Sequence, residues 1–507
     1  MDGDEILKIN GEIFQVAEGG QRPTSAITKE YLAQKGLPAD IALTFEDVTI
    51  LDFKSDVPSR SAITDTKSRL ARDIFLQTPI VSANMDTITE SQMAIALARL
   101  GGLGFIHQFL PIERRVEEIK KVKRADSGVI ENPFNISPEA TVAEAKNSME
   151  NFQISGLLVI DPVSAKLVGI ITSRDVRFET MLEKRVAEVM TNSPLITAPP
   201  GTTLEQARVI LKKNKIEKLP LVDNEERVVG LITAKDLLKI EQYPKALRDP
   251  KGRLRVGATI GVSGKFIEEA DQLLRAGADI ILIDTARGFS TKLEEAIKNL
   301  KNSLGEKVII AAGNVDTPEG ALLLIEAGAD AVKIGIGGGA VCKTREGPGV
   351  GVPQISAIAE CTAVALKHRV PIIADGGIRG GADFCKALAA GASTVMMGWM
   401  FAGCEETPGE PFYEDGEQWK IYRGSASLEF QLSRSDRDEG ERVRTPEGVP
   451  RRVRYKGEAA DVIHELMSYL RSSMSYVGTW TLEEYRKKTR FRRQTISGYE
   501  EGKPARP

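Results

Sequence analysis

Eight short, almost continuously apolar runs recur along this chain with helical patterns between them, and few folds can use such an arrangement. They are "TPIVSANMDT" and "GGLGFIH" in a first stretch, then "RVGATIGVS", "ADIILIDTA", "KVIIAAGNV", "ADAVKIGIGGG", "VPIIADGGI" and "ASTVMMGWMF" in a second. Unbroken apolar runs suit strands covered on both faces. The segments between them, such as "FIEEADQLLRAG", "TPEGALLLIEAG" and "GADFCKALAAG", are amphipathic and end in glycine, as helices do. Eight strand–helix alternations predict an α/β fold, a (β/α)8 TIM barrel. A Rossmann sheet is the alternative; it needs six strands and a switch point, and the number of runs fits it less well.

The chain has 507 residues, more than one ordinary core organises. An insertion at 127–243 separates the second apolar run from the third. It holds an internal repeat: "ISGLLVIDPVSAKLVGIITSRDVRF" at 154–178 is answered by "IEKLPLVDNEERVVGLITAKDLLKI" at 216–240. Each copy follows a helical pattern, "TVAEAKNSMENFQ" or "TLEQARVILKKNK". Two βαββα copies, 127–182 and 187–243, are expected to pack as one pseudo-symmetric module. The barrel is then built from 1–126 and 244–507. From about 405 to 455 the chain is polar and rich in Arg, Glu and Gly. So long a tract in a compact domain is functional or disordered. It follows the eighth strand, so it is expected at the catalytic face. The helical pattern "AADVIHELMSYLRSSMSYV" comes after it.

Composition narrows the function classes. Apolar residues make up 42% and charged residues 27%, with net charge −3. That fits a soluble globular protein and supplies no basic field for nucleic acid. No apolar stretch reaches the length of a membrane span. The opening "MDGDEILKINGEIF" is acidic and has no apolar core, so it is not expected to act as a secretory signal. The four cysteines, Cys342, Cys361, Cys385 and Cys404, lack metal-binding spacing and point to a reducing cytoplasm. With three histidines in the chain, base catalysis is expected to draw on other groups.

In a barrel the chemistry gathers where the strands end. Those ends carry Ser82, Asn84, Met85 and Asp86; Asp284, Thr285 and Gly288; Gly313 and Asn314; Asp375, Gly376 and Gly377; and Gly398. Glycines let main-chain N–H groups approach an anion, and aspartates can hold a ribose diol. The sixth end is "GIGGGAVCKTREGPG", with Cys342 between glycines and cations. A thiol beside Lys343 and Arg345 is expected to carry more thiolate and to act as a nucleophile. The structural alternative is a small residue suited to a tight loop. Cys361 and Cys385 fall in helical patterns and belong to the core; packing is also favoured for Cys404. In the repeats, Thr172, Ser173 and Asp175, then Thr233 and Asp236, form T-x-x-D patterns. These suit ribose binding, helix capping, or both.

Nine motifs in order, "LTFEDVTI", "SANMDTIT", "GGLGFIH", "AAGNV", "GIGGGAVCKTR", "GVGVPQ", "ADGGIR", "FAGCEETPGE" and "YRGSASL", give the chain a plain resemblance to the inosine monophosphate (IMP) dehydrogenase and guanosine monophosphate (GMP) reductase family. The resemblance covers nearly the whole chain, and the repeats resemble a tandem cystathionine-β-synthase-type (CBS) pair. It implies oxidation of IMP by NAD, in cytoplasmic purine supply, through a covalent bond from Cys342 to C2 of the purine. A flap then carries an arginine that activates water. By resemblance, Cys342, Thr344 and Arg437 are catalytic. Ser82, Asn314, Asp375, Gly376, Gly377, Gly398, Tyr422, Gly424 and Glu447 contact substrate. Asp284, Thr285, Gly335 and Gly337 contact the cofactor. Carbonyls of Gly337, Gly339 and Cys342 would hold a potassium ion, completed by Glu501, Gly502 and Lys503 of a neighbouring subunit. Thr172, Asp175, Thr233 and Asp236 would bind adenine or guanine nucleotides. A homotetramer or octamer is implied, with no membrane or nucleic-acid partner.

Four positions depart from the family pattern. Two phosphate-binding serines are replaced by Ala340 and Trp399, the methionine of "YRGMGS" by Ser425, and the flap's Arg–Tyr pair reads Arg437–Asp438. Two lost hydroxyl donors remove charge-assisted bonds of about 1.5–3 kcal/mol each, and an indole could fill the pocket. Arg423 and Arg379 are the candidates to replace those donors. Two alternatives therefore stand beside the dehydrogenase: an NADPH-dependent GMP reductase, with Glu429 near the glutamate of its Thr–Glu pair, and a diverged barrel that senses nucleotides.

Overall fold

Residues 6–9, 12–15, 26–126, 128–131, 133–152, 154–192, 194–424 and 448–504 are described by the computed structural model. The eight apolar runs form eight parallel strands: β1 (Ile80–Ser82), β2 (Leu103–Ile106), β3 (Gly257–Ile260), β4 (Ile280–Asp284), β5 (Ile310–Val315), β6 (Ala331–Ile334), β7 (Ile372–Asp375) and β8 (Thr394–Met397). They close into a (β/α)8 barrel, with β2 pairing β3 and β8 pairing β1. Their runs are unbroken because both faces are covered: Ile280, Ile281, Leu282 and Ile283 are all 0% exposed. Each such side chain contributes about 1.5–3 kcal/mol by burial.

The outer helices are α1 (Ser91–Arg99), α2 (Ile112–Arg124), α3 (Phe266–Ala276), α4 (Thr291–Leu304), α5 (Pro318–Glu326), α6 (Gln354–Lys367), α7 (Gly381–Ala389) and α8 (Ala459–Val477). Local chemistry sets their ends. The Thr317 side chain accepts the Gly320 N–H at the start of α5, where Pro318 loses no bond by lacking its own N–H. Helix α3 stops at Gly277, whose φ of 110° suits glycine. Strand register levels the functional ends: Asp284 stands beside Gly313, and Asp375 beside Met396. After β8 come three antiparallel strands, β9 (Phe412–Glu414), β10 (Glu417–Tyr422) and β11 (Arg451–Arg454).

The chain divides into two compact units. One comprises 1–123, 245–247 and 255–507; the other 124–244 and 248–254. In the second, each repeat pairs two antiparallel strands, Gly156–Ile160 with Leu167–Thr172 and Lys218–Val222 with Val228–Thr233. Equivalent residues fill the two cores. Leu157, Val159 and Ile171 pack in one, Leu219, Leu221 and Ile232 in the other. Among the described residues no helix is long and apolar enough to cross a membrane.

A helix at Ala26–Lys35 precedes the barrel and buries a lysine. Lys35 is 2% exposed, and its ammonium donates to the Arg486 carbonyl. Burial, reinforced by Arg490 and Arg486, pushes its pKa down from 10.5 to about 7. Between those values the unfolded chain holds the proton and the folded one gives it up, so stability rises with pH. Wild type is therefore expected to gain stability over Lys35→Met as pH climbs from about 7 towards 10. Denaturant midpoints at stepped pH read this; parallel curves for the two proteins would refute it.

Candidate active site

At the C-terminal ends of the strands lies a cavity of about 490 Å3, within the range of small-molecule sites, ~300–1,000 Å3. Its floor is a buried charge cluster. Lys333, on β6, is 2% exposed and reaches Asp284 at the end of β4 (3.0 Å) and Asp375 at the end of β7 (2.7 Å). Burial alone would lower the lysine's pKa, but the two carboxylates outweigh it and hold the ammonium above its ordinary value. Asn84 donates to the second oxygen of Asp284 at 2.9 Å. Asn314 donates to Asp375 Oδ2 (2.9 Å) and to the Gly335 carbonyl (2.7 Å). Asp375 Oδ1 receives none of these bonds, so it is open to a ligand hydroxyl.

Glycines bring the backbone close to this floor. Gly335 has φ 137°, and a Cβ there would fall 2.0 Å from the Asp375 carbonyl. Gly376 (φ 101°) and Gly377 (φ 78°) lie against Gly338 and Gly339. At the rim Cys342 is exposed, with its sulfur 3.2 Å from the Thr344 hydroxyl. The other three cysteines are buried, and burial pushes the Cys385 and Cys404 thiols up to about 12, as suits inert packing residues.

Most of the expected site residues meet in this cavity. Asp284, Thr285, Asn314, Gly335, Gly337, Gly339, Cys342, Thr344, Asp375, Gly376, Gly377, Gly398, Tyr422 and Gly424 all line it. Ser82 does not and is corrected: it is 0% exposed, and its hydroxyl accepts from Thr89 at 2.7 Å. The inward direction at the end of β1 falls to Asn84 instead. Arg345 directs its donors to the Ile336 (3.1 Å) and Val352 carbonyls. Arg423 pairs with Asp86, and Arg379 with Glu46 and Asp383, so both candidate phosphate donors are already engaged. Trp399 lines the cavity without filling it. Its ring meets Tyr422 edge-on at 5.9 Å. Arg437, Glu447, Ser425 and Asp438 lie outside the described residues, as does the side chain of Asp236. Glu501, Gly502 and Lys503 are exposed at the end of the helix Ile496–Glu501 and do not line the cavity of their own chain. In the second unit, Asp175 accepts from both the N–H and the hydroxyl of Thr172 (2.7 Å each), so the capping role is realised there. Thr233 ends its strand just before the helix Ala234–Gln242.

Sequence reasoning passed over Lys333 and Gln354. The signal for Lys333 was there: a lysine inside the buried run "ADAVKIGIG" needs charged partners. Gln354 lines the cavity and ties the Ile334 and Asp375 carbonyls together (3.1 Å each). Lys333→Met is expected to cost about 3–5 kcal/mol, the scale of breaking a buried ion pair. Denaturant unfolding measures this, and an unchanged midpoint would deny the ammonium its part in holding the floor.

A family model described as the IMP dehydrogenase / GMP reductase domain matches residues 42–505. An inosine-5'-monophosphate dehydrogenase of Aquifex aeolicus is 48% identical over 465 residues, spanning 90% of this chain and 94% of that protein. One from Nitrosopumilus maritimus is 44% identical over 469 residues, spanning 91% and 98%. Among solved structures, a GMP reductase variant of Trypanosoma brucei in complex with guanosine 5'-monophosphate matches with TM-score 0.88 and 38% identity, over 92% of this chain and 98% of that one.

Proposed function

The chain belongs to the IMP dehydrogenase / GMP reductase family, and on that footing we propose that it oxidises IMP to xanthosine monophosphate with NAD, in guanine nucleotide synthesis. One observation carries the reading. Cys342 is exposed on a glycine loop at the cavity rim, 3.2 Å from the Thr344 hydroxyl, in a chain 48% identical to an IMP dehydrogenase.

The Cys342 thiolate attacks C2 of the purine and forms a carbon–sulfur bond. The C2 hydrogen leaves with its electron pair; NAD, when bound, supplies the acceptor for that hydride. Water then displaces the sulfur, and the thiol is regenerated. Thr344, whose hydroxyl lies 3.2 Å from the sulfur, is assigned to assist the thiol, and Arg437 is assigned to activate the water. Asp375, with Oδ1 open, suits the substrate ribose diol. The N–H groups of Gly376, Gly377 and Gly398 suit the anionic end of the nucleotide, and Tyr422, Gly424 and Glu447 are assigned to the base side. Asp284, Thr285, Gly335 and Gly337 are assigned to the cofactor. Each Asp284 oxygen already accepts one donor and has a lone pair left for a ribose hydroxyl, so the residue fits that role.

The carbonyls of Gly337, Gly339 and Cys342 are assigned to a potassium ion, which carbonyl oxygens suit. Glu501, Gly502 and Lys503 of a second copy would complete it, in a homotetramer or octamer. The repeats are read as a CBS pair that takes adenine or guanine nucleotides near Thr172, Asp175, Thr233 and Asp236. The setting is the cytoplasm.

GMP reduction is the second reading, favoured by the T. brucei structure. IMP with NAD is expected to raise absorbance at the reduced-nicotinamide band, whereas the reductase would make GMP with NADPH lower it. Loss of signal in both assays would leave a sensing barrel. Cys342→Ala should cut turnover by roughly 10^3-fold or more, the scale of losing a covalent nucleophile, with the fold intact. Turnover that survives would exclude the thioimidate route.

A further inference from the structure

One buried cation near the cavity has no carboxylate partner among the described residues. Lys420, on β10, is 3% exposed. Its ammonium donates to the carbonyls of Cys404 (3.0 Å), Glu405 (3.0 Å) and Thr407 (2.7 Å), and lies 3.1 Å from the Thr407 hydroxyl. That hydroxyl spends its own proton on the Cys404 carbonyl at 2.7 Å, so it faces the lysine as an acceptor. Four neutral oxygens thus surround one ammonium, as they would surround a monovalent metal ion. Glu405, Glu406 and Glu410 act on it only from beyond ion-pair distance, and burying a charge without a direct ion pair is costly, so the position calls for an explanation beyond packing.

Geometry supplies it. Residues 404–407 leave β8, the last strand of the barrel, while Lys420 stands on a strand whose next inward residue is Tyr422, two places on. Tyr422 is 3% exposed and lines the cavity, with its hydroxyl 3.8 Å from Met85 Sδ. Gly424 lines it too, and a Cβ there would meet the Val341 side chain at 3.2 Å, next to the cysteine. The returning chain touches the same loop: the Val449 N–H donates to the Val341 carbonyl at 3.1 Å. Between the lysine and Gly424, Arg423 joins Asp86 at 2.8 Å.

We propose that Lys420 is a positioning residue for the reaction: a tethered cation that fixes β10 to the exit of β8, and so sets Tyr422 and Gly424 against the Cys342 loop. The inference rests on the reading of this cavity as the catalytic site. A displacement of even 1 Å in such a wall costs on the order of 10²-fold in rate.

The test is Lys420→Ala in the full chain, with n-propylammonium as the probe, since it replaces the atoms removed. The variant is expected to keep its fold by circular dichroism and to lose about 10- to 100-fold in kcat/KM for IMP. It should recover saturably with n-propylammonium and not with tetramethylammonium at equal ionic strength. Activity within two-fold of wild type, or recovery with either salt alike, would overturn the proposal. If Lys420→Ala does not fold, Thr407→Val weakens the same cage. A smaller loss in kcat/KM with an intact fold then supports the clamp, and no loss refutes it. Amide hydrogen exchange over 417–424 separates this inference from the functional reading. If wild type turns over neither substrate, the reading fails. The clamp still stands if Lys420→Ala loses protection there and n-propylammonium restores it; unchanged exchange removes it.

Discussion

The site depends on one ammonium. Lys333 sits between Asp284 and Asp375 and binds the ends of β4, β6 and β7 into one charged floor. The lysine gives both carboxylates a shared counter-charge, and each keeps lone pairs for ligands. Asn84 and Asn314 hold the carboxylates from the side, so the aspartates are oriented before anything binds.

Around that floor the walls divide by chemistry. Glycines at 335, 376 and 377 let main chain replace side chain, in conformations that other residues resist. The thiol stands exposed on the glycine-rich loop after β6. Trp399 and Tyr422 form an aromatic side that narrows the cavity and leaves room for a mononucleotide-sized ligand. Ala340 and Trp399 bring no hydroxyl to an anionic group. Arg379 and Arg423 are held in ion pairs of their own. On the proposed reading, the anionic end of the nucleotide would rely on backbone N–H groups of the glycine turns.

Beyond the barrel, two lysines, on β10 and just after β11, meet carbonyl oxygens, alongside the ion pair of Arg454 on β11 with Glu417 on β10. Lys420 reaches the 404–407 turn, and Lys456 donates to the Trp399 and Met400 carbonyls at 3.0 and 3.2 Å. Such bonds to carbonyls depend less on salt than surface ion pairs such as Arg452 with Glu414.

The barrel was legible in the sequence because strands covered on both faces must be apolar throughout, and that pattern needs no partner to be read. The cysteine loop was legible for a related reason: a thiol among glycines and cations is a local statement. Direction and partnership were not. Ser82 and Asn84 both stand at the end of β1, and strand pleat with barrel closure decided that the serine turns to Thr89 while the asparagine turns to Asp284. Arg345 looked like the thiol's partner, and it does lie in the thiol's electrostatic reach, yet its donors go to the Ile336 and Val352 carbonyls. Lys333 and Lys420 each find their partners on other strands and loops, and a linear chain does not carry those distances. The sequence determined which backbone could form and where reactive groups would cluster; the tertiary structure alone decided which charges meet, because Coulombic and hydrogen-bond energies depend on separations that folding creates.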